Sequence, residues 1–294
     1  MPYNSVFKDD SFKGKTIVVT GGGSGIGRCT AHELSSLGAE IALVGRKQEK
    51  LDQVAAEIAE DGGVASTWSC DIRDEETVIK TVDGILAKHG RIDALVNNAG
   101  GQYRAKMNTI TTKGFEAVVR NNLTGGFIFM REVYNRWMID HGGSIVNIIA
   151  DIWNGWPYFS HSAAARGGMH TLTECAATEW AESGVRVNSV APGSIASSGL
   201  DTYDEKDREF IRTEIAGEIP LRRFGTESEV ASVITFLLSP GASFVTGSCF
   251  RVDGGAPNAR RGWWEIQPSK NNEPYHGFHR NQSPDILSDI DFSK

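Results

Sequence analysis

Lys15-Thr-Ile-Val-Val-Thr20 is a run rich in β-branched residues that stops at glycines, and from Gly25 to about Leu37 apolar positions recur at helical spacing. A strand that hands over to a helix through a tight turn leaves the chain few options, because its next strand must return by a crossover. The alternation recurs. Glu40–Gly45 precedes a polar helix, Val64–Cys70 a helix over Glu75–His89, and Ile92–Val96 a helical stretch from about Lys113 to Asp140. Gly143–Ile149, a helix over Ser160–Ser183, Val185–Ala191, a helix over Glu227–Leu238 and Cys249–Val252 follow. Strands separated by such helices pair in parallel, and a parallel sheet is covered on both faces. The predicted fold class is α/β, a doubly wound parallel sheet.

Two segments break this rhythm. From about Ser194 to Arg223 a charged insertion, Asp204-Glu-Lys-Asp-Arg-Glu209, separates the strand near Val190 from a helix opened by Thr226-Glu-Ser-Glu229, which has capping-box form. The insertion is predicted to be a substrate lid. From Ala256 onward prolines, asparagines and isolated aromatics (Trp263, Trp264, Tyr275, Phe278) replace periodicity, so residues 256–294 read as an extension of a single domain over 1–255. With 294 residues, 40 % of them hydrophobic, one α/β domain and a tail account for the chain.

Thirty basic against 37 acidic residues give a net charge of −7 with the signs mixed, which offers no basic face for a nucleic-acid backbone. No apolar run is long enough to span a membrane, and the N-terminus has no secretory pattern. Cys29, Cys70, Cys175 and Cys249 lie far apart without metal-ligand spacing, so no metal site is expected and all four read as reduced, mostly packing residues. The chain ends in Phe-Ser-Lys294 rather than a peroxisomal address, and a cytoplasmic location is the expectation.

Thr20-Gly-Gly-Gly-Ser-Gly-Ile-Gly27 sits where the first strand meets the first helix. Glycines there let backbone N–H groups approach a pyrophosphate, and the helix N-terminus adds partial positive charge. Gly21, Ser24, Gly25, Ile26 and Gly27 are therefore predicted to hold a dinucleotide. An acidic residue closing the second strand would accept from ribose hydroxyls, but here the position reads Arg46-Lys47. A cationic pair attracts a 2′-phosphate, so NADP(H) is favoured over NAD(H). The competing reading is that Arg46 and Lys47 merely begin a solvated helix.

With Asn97-Asn-Ala-Gly100 added, the sequence resembles the short-chain dehydrogenase/reductase family from roughly Phe12 to Gly255. The glycine loop, Asp71-Ile72, Asn122-Leu-Thr-Gly125, Pro192-Gly193 with Ile195, and Val252-Asp-Gly-Gly255 carry the same resemblance. It implies a Rossmann-like fold in which Asp71 and Ile72 meet adenine and Asn98, Ala99 and Gly100 line a ribose. Pro192, Gly193 and Ile195 would seat the nicotinamide carboxamide, and Asn122, within a helix, would hold an ordered water or bridge to backbone. It also implies a homotetramer.

The catalytic positions depart from the family pattern. Alignment of the fifth strand and the helix after it puts Ala150 where a typical member has serine, Ser162 at the tyrosine and Arg166 at the lysine. His161-Ser-Ala-Ala-Ala-Arg-Gly-Gly168 and its companions are similar to the trans-2-enoyl-CoA reductase branch. Chemistry favours the same direction. Reducing a ketone puts a proton on oxygen and needs an acid tuned near neutrality, which a serine hydroxyl is not. Reducing the C=C of an enoyl thioester places charge on the thioester oxygen, where fixed hydrogen-bond donors suffice.

Ser162 is then a donor to the enolate oxygen, and Arg166, permanently charged, holds the nicotinamide ribose without relaying protons. Ser162, Arg166 and His170 stand at i, i+4 spacing, which predicts a shared face with His170 as a candidate acid or a packing residue. His161 and Tyr158 are within reach of a substrate, with Asp151 as a partner for His161. The expected activity is NADPH-dependent reduction of a 2-enoyl thioester. The alternatives are dehydrogenation of a branched or terpenoid alcohol and a non-catalytic NADP(H)-binding protein. The tail aromatics have no periodicity that would bury them in their own core, so the tail is expected to reach a neighbouring subunit.

Overall fold

The computed structural model describes residues 3–259 and 271–287, so Trp263, Trp264 and Pro268 lie outside the described residues. Seven parallel strands form one sheet in the order β3-β2-β1-β4-β5-β6-β7. They are β1 Thr16–Thr20, β2 Glu40–Gly45, β3 Val64–Ser69, β4 Ala94–Asn97, β5 Gly143–Ile148, β6 Val185–Pro192 and β7 Cys249–Val252. The helices are α1 Gly25–Ser36, α2 Gln48–Glu60, α3 Glu75–His89, α4 Thr112–Val119, α5 Gly125–Val133, α6 Ile139–His141, α7 Ser160–Glu179, α8 Glu205–Phe210, α9 Ala216–Glu218 and α10 Glu227–Leu238. The doubly wound α/β fold is thus observed.

Two cores follow from the period of a strand. Ile17 and Val19 of β1 face one layer with Leu34, Leu51, Ile234 and Leu237, while Val18 between them faces the other with Val82, Ile85, Phe129 and Met138. All five β1 residues are buried, which is why the run shows no polar alternation.

Local signals set the ends of elements. Asp74 caps α3 by accepting from the Thr77 N–H at 3.0 Å, and Gly90 closes it at φ 71°. The capping box is present on α10: the Glu229 N–H donates to Thr226 Oγ1 at 3.2 Å and the Thr226 N–H to Glu229 Oε2 at 2.8 Å. The single helix expected from about Lys113 to Asp140 is instead three segments, α4, α5 and α6, joined by π-helical turns at Arg120–Thr124 and Tyr134–Met138. Asn122 lies in the first of these, not in regular α-helix. Such wide turns change which side chains face inward while apolar spacing stays nearly the same.

The insertion after β6 folds as a 3-10 turn at Ser198–Thr202, then α8, a π turn at Ile211–Ile215, and α9. Its return is tied down by Arg223, which pairs with Glu229 at 2.7 Å.

The described part of the tail packs its aromatics on its own subunit, contrary to the expectation that they find no place there. Phe278 is 3 % exposed and sits in its own subunit against Tyr3, Cys29 and Ala231, with its ring 4.9 Å from that of His32. Tyr275 donates to the Asn4 carbonyl at 2.6 Å and accepts on its own carbonyl from Thr226 Oγ1 at 2.8 Å. His279 and Arg280 pair with Asp61 at the end of α2, at 3.0 and 3.2 Å. Ile286 and Leu287 are buried against Ile211 and Phe224 of the insertion, and the Asp201 carboxylate accepts from the Asp285 and Ile286 N–H groups at 3.3 and 3.0 Å. Irregular backbone buried these groups through side-chain and main-chain pairing, which leaves no periodic trace in sequence.

Candidate active site

In a doubly wound sheet ligands bind outside the carboxyl ends of the strands where the order reverses, here between β1 and β4. A crevice of about 850 Å³ opens there, lined by Gly21, Ser24, Gly25 and Ile26 from the first turn, by Asn98–Gly101 after β4, and by Pro192–Ile195 after β6. Gly21 has φ 68°, and a Cβ on Gly27 would lie 2.4 Å from the Gly21 carbonyl oxygen, so neither position admits another residue without movement. The Ser24 side chain does not cap α1, and no acidic residue stands in its first turn, so the helix end is left to a ligand.

Thr20 fastens the two strand ends together. Its hydroxyl accepts from the Asn98 and Ala99 N–H groups at 2.9 and 3.0 Å, and Asn98 Nδ2 donates to the Thr20 carbonyl at 3.0 Å. Sequence reasoning passed over Thr20 as the last residue of an apolar strand; its signal is a buried hydroxyl at that end.

Arg46 and Lys47 stand exposed at the end of β2 with no ion pair among the described residues. Asp71 is held by Arg73, whose Nε and Nη2 donate to it at 2.8 and 2.5 Å, and these bonds pull its carboxyl down to about 2. Ile72 is buried, and a Cβ on Gly125 would lie 2.8 Å from its side chain, so it packs against the start of α5.

At the inner end, Arg166 is nine-tenths buried and donates from Nη1 to the Ile148 carbonyl at 2.6 Å, while its Nε has no partner. Burial without a carboxylate pushes the guanidinium down to about 10, which still leaves it charged at neutral pH. A Cβ on Gly100 would lie 2.3 Å from Arg166 Nη2 and 2.8 Å from Asn122 Oδ1, so glycine is what lets both reach the crevice floor.

Asn122 takes the backbone-bridge arrangement: Oδ1 accepts from the Gly101 N–H at 2.8 Å and Nδ2 donates to the Gly101 carbonyl at 2.9 Å, with Ser162 Oγ 3.4 Å from Nδ2. Ser162 is fully buried and donates to Gln102 Oε1 at 2.6 Å. Gln102 itself lines the crevice, so the serine meets the cavity through it. Sequence reasoning missed Gln102 as a functional side chain, although it directly follows Gly100-Gly101.

Two expected arrangements are not formed. His161 is buried, accepts the Ser162 N–H on Nδ1 at 2.9 Å and lies under the edge of Tyr103. Asp151 does not pair with it. The Asp151 N–H donates to the Pro192 carbonyl at 3.2 Å, which turns the residue toward the end of β7, where Asp253 and Arg251 act on its carboxyl. His170 does not join the Ser162–Arg166 face at the crevice; it turns edge-on to Trp153 at 6.3 Å and toward Glu174 at 3.9 Å.

The outer half of the crevice is apolar, with Trp153, Trp156, Phe159, Leu200, Phe210 and Ile211 among its walls. At its mouth Arg104 lies 4.0 Å over the ring of Tyr158 and pairs with Asp207 of the insertion at 2.9 Å. The predicted lid therefore borders this cavity. Of the cysteines, Cys29 and Cys70 are buried, Cys175 is exposed, and all are free.

A glycine cradle at the reversal point, a free helix N-terminus and a buried cation without a counter-charge fit a dinucleotide, and together they define an NAD(P)-dependent oxidoreductase of the doubly wound class. The model of the family described as enoyl-(acyl carrier protein) reductase matches residues 21–257. The chain belongs to the short-chain dehydrogenase/reductase family and is an oxidoreductase. It is 36 % identical over 257 residues to the peroxisomal 2,4-dienoyl-CoA reductase of Danio rerio, covering 86 % of this chain and 85 % of that one. A solved structure of a citronellol catabolism dehydrogenase from Pseudomonas aeruginosa is 54 % identical with a TM-score of 0.78, covering 87 % of this chain and all of that one (100 %). An NAD(P)-dependent dehydrogenase from Beutenbergia cavernae, solved with NADP at low occupancy, is 33 % identical with a TM-score of 0.78, covering 85 % of this chain and 99 % of that one.

Proposed function

We propose that the protein reduces a carbon–carbon double bond conjugated to an acyl thioester, with NADPH as reductant. One observation carries this: the group at the position of the family's phenol is a buried Ser162 hydroxyl bonded to Gln102, and the group at the position of its amine is an Arg166 that stays charged. Nothing in that pair is an acid tunable to neutrality, whereas a hydroxyl and a carboxamide are suitable donors for a thioester oxygen. The name of the Danio rerio relative supports the thioester, and the apolar outer crevice suits an acyl chain.

When bound, the reduced nicotinamide supplies a hydride. The chain's residues do the rest. Gly21, Ser24, Gly25 and Ile26 offer N–H groups to the pyrophosphate, with Gly27 keeping the turn tight. Arg46 and Lys47 meet the 2′-phosphate, Asp71 and Ile72 flank adenine, and Asn98, Ala99, Gly100 and Arg166 hold the ribose. Pro192, Gly193 and Ile195 orient the carboxamide. Asn122 fixes the Gly101 peptide and Ser162, and Ser162 orients Gln102 toward the substrate oxygen. His161 backs this floor.

The 54 % identity to a citronellol catabolism dehydrogenase favours a second reading, oxidation of a branched alcohol. The two are separated by following NADPH absorbance with crotonyl-CoA and NADP⁺ reduction with citronellol. Loss of NADPH absorbance on the thioester, with no turnover of the alcohol, is the expected outcome; the reverse pattern establishes the second reading. Exposed Met107 and Phe115 beside and on α4 support assembly as a homotetramer through that helix.

A further inference from the structure

We propose that Asp151 is the proton donor of the crevice, delivering to the carbon next to the thioester carbonyl the proton that completes double-bond reduction. This rests on the thioester reading above. Asp151 lies just beyond β5, after Ile149 and Ala150, and lines the crevice beside Ala150, Arg166 and Pro192. Its Oδ1 is buried with no hydrogen-bond partner among the described residues, although a carboxylate normally gathers several. Its backbone is fixed by the bond to the Pro192 carbonyl, at the strand end where the carboxamide would sit. Asp151 thus lines the crevice from the β5 and β6 side, while Gln102 lines it from the β4 loop with Ser162 of α7 behind it. One side can serve the α-carbon while the other holds the oxygen.

The surroundings favour the protonated form of this carboxyl. Burial comes first, and the neighbouring Asp253 charge adds to it; the Trp153 N–H and Arg251 oppose them, and the outcome is a carboxyl pushed up to about 6. Arg166 shares the cavity, and His170 stands behind Trp153. When bound, the reduced nicotinamide would supply a hydride to the distal end of the conjugated double bond, and the electron pair of that bond would pass through the α-carbon to the thioester oxygen, held by Gln102. The pair returns to form the bond between the α-carbon and the Asp151 proton. The carboxylate left behind takes a proton from water.

The test compares wild type, Asp151→Asn and Asp151→Glu with crotonyl-CoA and NADPH in D₂O. General acids contribute on the order of 100-fold or more. Asp151→Asn should lower kcat by about that factor with NADPH affinity, read by fluorescence, unchanged, and Asp151→Glu should recover part of it. Wild-type kcat should fall with rising pH as the carboxyl ionises, and the asparagine variant should lose that limb. Wild type should deuterate one face of the α-carbon, and residual product of the asparagine variant should lose that preference. Without cofactor or substrate, infrared difference between wild type and Asp151→Asn should show a protonated carboxyl at pH 5 that is gone at pH 8. Should Asp151→Asn fail to bind NADPH, the glutamate variant and the infrared signal of wild type carry the test.

Stereospecific deuteration at wild-type rate in Asp151→Asn overturns the proposal, as does a carboxyl already ionised at pH 5. So does Asp151-dependent reduction of a 3-ketoacyl thioester, since the acid would then serve oxygen. If wild type leaves crotonyl-CoA unreduced, the functional reading falls and takes this proposal with it; if wild type reduces it and the variant does so equally, only this proposal falls.

Discussion

Gly100 is the residue on which most of the inner site depends, because Arg166 and Asn122 occupy the space a side chain would need. Gly100→Ala should push the guanidinium off its seat and weaken NADPH binding at least tenfold, measurable by cofactor fluorescence, with a small change in Tm. At the other end of the dinucleotide, Arg46→Asp removes a cation that makes no ion pair among the described residues and acts on Asp71 only at a distance. NADPH affinity should fall by one or two charge-assisted hydrogen bonds, about 1.5–3 kcal/mol each, and the gap to NADH should narrow. A wild-type preference for NADH contradicts that assignment. Glu227, at the first turn of α10, is buried, and burial pushes its carboxyl up to about 7. The native state therefore holds a proton that the unfolded chain releases near pH 4.5, and stability contributed by that proton is lost as pH rises from there through about 7. Glu227→Gln should match wild type at pH 4.5 and gain on the order of 1–3 kcal/mol by pH 8 in urea unfolding. The glycines were legible because their identity alone permits the tight turn. Asp151 was read only as a partner for His161, because β7, whose end brings Asp253 and Arg251 to it, lies about 100 residues further along the chain.

Elements were legible in proportion to their periodicity. The β-branched runs and the helix of α10 with its capping box announced themselves, whereas the π turn at Arg120–Thr124 preserved the apolar spacing of a longer helix and hid the position of Asn122. The tail hid more. Its described part clasps α1 through Phe278 and the insertion through Ile286 and Leu287, so it braces the lid to the nucleotide half of the same subunit. Phe278→Ala should cost about 3 kcal/mol of stability and expose Cys29, now fully buried beneath it, to thiol reagents that otherwise reach Cys175. Ending the chain after Ala259 should raise KM for the acyl substrate more than for NADPH, because the insertion loses the Asp285 and Ile286 N–H groups that donate to its Asp201 carboxylate. Equal effects on both KM values contradict a bracing role.

At the scale of the molecule, strand–helix alternation selected the parallel sheet, and the reversal of strand order between β1 and β4 put the crevice at the cradle. Strand order itself was not legible, since each run only shows that it is buried on both faces. The crevice has no tunable acid on the oxygen side: Gln102, oriented by the buried Ser162 hydroxyl, is suited to hold an oxyanion, and only the α-carbon is left to be protonated. The most direct test is a pair of single-turnover rates with NADPH on a 2-enoyl thioester and on the 3-keto thioester of the same chain length, for wild type and for Ser162→Tyr with Arg166→Lys. The account predicts that wild type reduces the enoyl compound alone and that the double variant gains no enoyl activity while acquiring slow ketone reduction; wild-type reduction of the ketone at the faster rate, or a large gain in enoyl reduction by the double variant, contradicts it.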